Sequence, residues 1–116
     1  MRILITVKPQ MYREAIAVSI YRYRPDAEIM LVSPEYLTQE LRSFRPHLLV
    51  RNITDEVTPD ALAGVAHQVE VLYTDDLDAK VIQDGRARTV QDMSMDDLFR
   101  VIDEAEELIL PQETAG

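Results

Sequence analysis

The sequence predicts an α/β domain: a three-layer parallel βαβαβ core, an appended antiparallel β-hairpin and a C-terminal helix. Three observations lead there. Short apolar runs of strand length alternate with stretches of helical periodicity as far as residue 73, the order that builds a parallel sheet with helical crossovers. Beyond it only Thr74 to Asp78 separate two strand-like runs. Asp84-Gly85 then stands between two extended segments, and this dipeptide favours a two-residue hairpin turn.

Each element has a local reason. Arg2 to Val7 is a nearly continuous apolar run, as expected of a strand buried on both faces, and Lys8-Pro9 ends it. From Gln10 to Arg24 the spacing becomes helical, with Met11, Ala15 and Val18 on one face, flanked by Tyr12, Ile16 and Ile20. Pro25 closes that helix, because proline disfavours the helical conformation in the residue before it. Ala27 to Val32 reads as the second strand. Ser33, Pro34 and Glu35 read as an N-cap, a first-turn proline and a first-turn acid. Leu37, Leu41 and Phe44 give the second helix its stripe, Pro46 stops it, and Leu48-Leu49-Val50 leads the third strand to Asn52.

Thr58 to Gly64 has the signals of a helix of one or two turns, or of an irregular loop, and Gln68 to Tyr73 is the fourth strand. A parallel crossover needs a dozen or more residues, so the next strand, Ala79 to Gln83, is expected to run antiparallel to it. Thr74 to Asp78 spans at most about 18 Å, at roughly 3.6 Å per residue. Arg86 to Val90 completes the hairpin. Ser94 and Asp97 resemble a capping box with Asp in place of Glu. Leu98, Val101, Ile102, Ala105, Leu108 and Ile109 continue as one apolar stripe, which Pro111 is expected to end. Residues 1–111 thus read as one domain and 112–116 as a flexible tail, with 116 residues enough for a single core.

Composition excludes several functions. Cysteine is absent, so disulfides, thiolate catalysis and Cys-ligated metals are ruled out. No apolar run approaches the ~18 residues that cross a bilayer, and no signal peptide is visible; a soluble, cytoplasmic protein is expected. Net charge is −9. Residues 1–54 hold 8 Lys/Arg and 5 Asp/Glu (+3), and residues 55–116 hold 4 and 16 (−12). Such a chain should repel nucleic acid and anionic membrane, because phosphate binding relies on clustered Lys and Arg. No glycine-rich phosphate loop, HExxH or nucleophile elbow is present, and three glycines are too few for a Rossmann dinucleotide site.

In open α/β sheets ligands bind beyond the carboxyl ends of the strands. The residues expected there are Lys8, Ser33, Asn52, Thr74 and Asp75. Asp75, Asp76 and Asp78 offer oxygens to a hard cation, but their spacing matches no EF-hand and a solvated turn is the expected reading. His47 and His67 are single histidines at strand entrances and are assigned structural roles. No catalytic residue, metal or cofactor is assigned.

The element order through residue 73, the Arg24-Pro25-Asp26 turn and the Arg45-Pro46-His47 entry to strand three resemble a response-regulator receiver domain. Such CheY-like domains have a flavodoxin-like fold. Receivers carry a phosphorylated aspartate after strand three, where this chain has Asn52. They carry a magnesium-holding acidic pair after strand one, where this chain has Lys8-Pro9; Thr74 matches their Thr or Ser after strand four. Their lysine follows a parallel fifth strand, which this chain is not expected to have. The resemblance implies a degenerate, receiver-like regulatory or protein-interaction module without a phosphoacceptor. Five tyrosines and an appended hairpin offer means of pairing, so a protein partner or a homodimer is expected. The alternative is a small-molecule-binding protein or small enzyme using the carboxyl edge.

Overall fold

The computed structural model describes residues 1–52, 57, 59–73 and 77–115. Six strands form one mixed sheet: β1 (Arg2–Ile5), β2 (Glu28–Leu31), β3 (Leu48–Asn52), β4 (His67–Tyr73), β5 (Leu77–Gln83) and β6 (Arg86–Val90). Four α-helices accompany them: α1 (Gln10–Tyr23), α2 (Leu37–Ser43), α3 (Pro59–Leu62) and α4 (Met95–Ala115). Strand order is β2-β1-β3-β4-β5-β6. The first four of these strands are parallel, and β5 and β6 are antiparallel to their neighbours.

The hairpin forms as its sequence demands. Asp84 and Gly85 take φ of 51° and 79°, the positive pair of a type I′ turn. Tyr73 then lies opposite Leu77, so β5 begins two residues earlier than its apolar pattern implied.

Strand pleating sorts the buried side chains into two cores. Ile3, Ile5, Leu48, Val50, Val69 and Val81 face α1 and α4, meeting Ile16, Ile20, Leu98 and Ile102. Leu4 and Leu49 face the other way, toward Leu37 and Leu41 of α2 and Val65. Each cluster removes apolar area from water at about 25 cal/mol per Å².

α1 turns a different side inward than expected. Ile16 and Ile20 are buried and Tyr12 packs beside them, whereas Met11 is 79% exposed and Val18 51%. Both triplets repeat at helical spacing. The isoleucine face wins because the helix must lie across β1 and β2, and its longer branched side chains reach the sheet. Its C-terminal end is tied to α4. Tyr23 stacks on Phe99 with centroids 4.1 Å apart, and its hydroxyl donates to Asp103, as does Arg24. Arg24 Nε also lies 2.9 Å from Glu106 Oε2, an ion contact rather than an aligned hydrogen bond.

Two further expectations are corrected. Ser33 makes no side-chain cap; the chain enters a 3₁₀ turn at Pro34–Tyr36, closed by Tyr36 N–H donating to the Ser33 carbonyl. α4 does not stop at Pro111 but runs to Ala115, so 112–115 are helical. Proline cannot donate to the Glu107 carbonyl, but Glu107 is exposed and water can take that place. At the other end the capping box holds: Ser94 N–H donates to Asp97 Oδ2 at 2.9 Å, and Asp97 N–H to Ser94 Oγ at 3.3 Å. These bonds keep the Asp97 carboxyl below its usual range. Among the described residues no helix is long and apolar enough to cross a membrane.

Candidate functional site

The parallel strands β1, β3 and β4 end together, and the edge they form is the expected ligand position. Asn52 is the last residue of β3 and is 1% exposed. Its Oδ1 accepts the Lys8 N–H at 3.3 Å, which joins the loop after β1 to β3. Its Nδ2 has no partner among the described residues, nor does the Oγ1 of buried Thr6. Arg13, buried on α1, donates to the Val7 carbonyl at 3.2 Å and braces the same loop. The structure thus brings Lys8 and Asn52 together. Ser33 lies past the end of β2, with β1 between it and Asn52. Thr74 and Asp75 lie outside the described residues, as does Asp76.

A cavity of about 250 Å³ opens beside this edge, on the α1 and α4 side of the sheet. Its floor is Val50, Val69 and Val71, and Tyr12, Met93 and Met95 line its walls. Burial pushes the Tyr12 phenol up, so the ring enters as a neutral, largely apolar group. The polar groups at the cavity are few. Ser94 is engaged in the helix cap, and Asp78 Oδ1 accepts the Asp92 N–H at 3.0 Å. Ser94 and Asp78 are thus engaged within the fold, and the lining suits an apolar guest.

Of the residues expected from sequence, the described ones, Lys8, Ser33 and Asn52, do not line this cavity. Those that do were read as strand or helix-face residues, except Asp78 in the acidic turn, Ser94 and Met95 in the helix cap, and Met93, to which no role was assigned. One signal was available: Met93 and Leu98 flank the Ser94 cap at the N′ and N4 positions, the spacing of a hydrophobic staple, and both line the cavity. Comparisons with protein-family models, curated proteins and solved structures found no match to this chain.

Proposed function

We propose that the chain is a non-catalytic regulatory or protein-interaction module with a receiver-like, flavodoxin-like three-layer fold lacking a phosphoacceptor. The observation that carries this reading is Asn52, which stands in for the acceptor aspartate and whose oxygen is occupied by the Lys8 N–H. A carboxamide does not accept a phosphoryl group, and Lys8-Pro9 replaces the acidic pair. The order β2-β1-β3-β4-β5 supports the fold assignment, being the flavodoxin-like order, although β5 is reversed.

The interaction role draws support from α1, where Met11, Val18 and Tyr21, the last 60% exposed, leave apolar side chains in solvent. A second copy is the partner this reading names, since the +3 and −12 portions of the chain are complementary in sign. The experiment is a titration with beryllium fluoride and magnesium, read from the Lys8 and Asn52 amide signals. Unmoved signals are expected; saturable shifts there would overturn the reading. Sedimentation equilibrium tests the dimer, and a strictly monomeric chain at about 100 μM, a tenth of the ~1 mM weak-binding scale, removes it.

A second reading, binding of a small apolar molecule at the carboxyl edge, is favoured by the cavity over Val50, Val69 and Val71. Small aromatic compounds should then raise Tm saturably, and Ala79→Leu, which enlarges a side chain of the lining, should abolish the rise.

A further inference from the structure

A second cavity, of about 320 Å³, lies at the opposite end of the sheet, where β1, β3 and β4 begin. Arg2, Arg45, His47, His67 and Asp84 line it. Arg45 follows α2 with φ of 50°, and its carbonyl accepts Arg2 Nε–H at 2.9 Å. That bond fixes the Arg2 guanidinium against the wall. The terminal nitrogens of Arg2 have no partner among the described residues, and neither Arg2 nor Arg45 has an ion pair there. His47 Nδ1 accepts the Arg2 N–H at 2.8 Å, so in the neutral ring Nε2 carries the proton and is a donor. Arg2 and Arg45 thus bring two guanidinium groups to the lining, the first of them held by the Arg45 carbonyl.

We infer that this cavity binds a small molecule bearing a phosphate group, held by the guanidinium groups of Arg2 and Arg45. Guanidinium is matched to phosphate oxygens by its planar fork of N–H donors, and it stays charged at any physiological pH. The cavity is at the small end of the usual range of about 300–1,000 Å³, so the ligand is a small one. Asp84 on the far rim sets its polarity, placing the anionic end of the guest toward the arginines.

The test titrates the full chain at low salt with inorganic phosphate and, separately, with glycerol 3-phosphate, following amide signals. Saturable shifts are expected at Arg2, Arg45, Ala66 and His67, with Kd at or below about 1 mM. Arg2→Gln and Arg45→Asn should each weaken binding about tenfold or more; asparagine tolerates the positive φ at 45. Lys8→Gln, at the other end of the sheet, should leave binding unchanged. Tighter binding of the ester assigns the site to organic phosphates, and equal binding assigns it to the free ion; both support an oxyanion site. Absence of saturation by about 10 mM, ten times the weak-binding scale of about 1 mM, overturns the inference. So does undiminished binding in either arginine variant.

Discussion

Asn52 Oδ1 accepts the backbone N–H of Lys8 at 3.3 Å, so the side chain at the end of β3 anchors the loop that leaves β1. The bond crosses between two parallel strands at the point where their ladder ends. A buried carboxamide is well suited to this, since it accepts without carrying charge. Asn52→Asp places a carboxylate at a site 1% exposed and is expected to lose about 1–3 kcal/mol of stability. Urea unfolding should show a lower midpoint with an unchanged slope; an equal or higher midpoint would contradict the role assigned to Asn52.

Arg51 and Glu70 lie directly opposite each other on β3 and β4 and form a buried ion pair, Nη2 to Oε1 at 3.0 Å. Arg51 Nη1 also donates to the Asn52 carbonyl at 3.1 Å. Glu70→Ala removes the carboxylate opposite a buried guanidinium and should cost about 3–5 kcal/mol. The double change Arg51→Met with Glu70→Leu should return stability to near that of the original chain. Chemical denaturation of the three variants checks this, and a double variant as weak as Glu70→Ala would refute it.

The hairpin and the parallel strands were legible because their causes are local: a short gap after Tyr73, an Asp84-Gly85 turn, and apolar runs of strand length. The inward face of α1 was not, because Met11, Ala15 and Val18 repeat as regularly as Tyr12, Ile16 and Ile20, and only the helix's position over β1 and β2 decides between them. Pro111 misled for a related reason: a proline signal says what one residue disfavours, not whether solvent can satisfy the carbonyl it leaves. Lys8 and Asn52 could be paired from sequence because both end strands at the same edge. The cavity beside them could not, since Tyr12 and Met93 meet only when α4 folds back across the sheet.

Gly85 has φ of 79° and open space where a Cβ would stand. Gly85→Ala therefore isolates the backbone cost of a positive φ, about 1–2 kcal/mol. Gly85→Asn should cost less. Thermal unfolding of the two variants measures the difference, and equal Tm values would argue against the type I′ geometry.

His67 is 4% exposed, with Nδ1 lacking a partner among the described residues. Burial lowers its pKa from the ordinary 6.5, and nearby Asp84 opposes this in part. The folded value lies below the unfolded one, so below about pH 6.5 the unfolded chain binds more protons and stability falls as pH drops. Urea midpoints at about pH 7.5 and about pH 5.5, either side of the ordinary histidine value, should fall more in the original chain than in His67→Gln. An equal fall in both would remove His67 as the cause.

The most direct test of the receiver-like, non-phosphorylated reading is the intact mass of the chain after incubation with acetyl phosphate and magnesium. The account predicts an unchanged mass, because on the proposed receiver-like reading Asn52 takes the acceptor position and Lys8-Pro9 that of the acidic pair. A stoichiometric, base-labile phosphoryl adduct would contradict it.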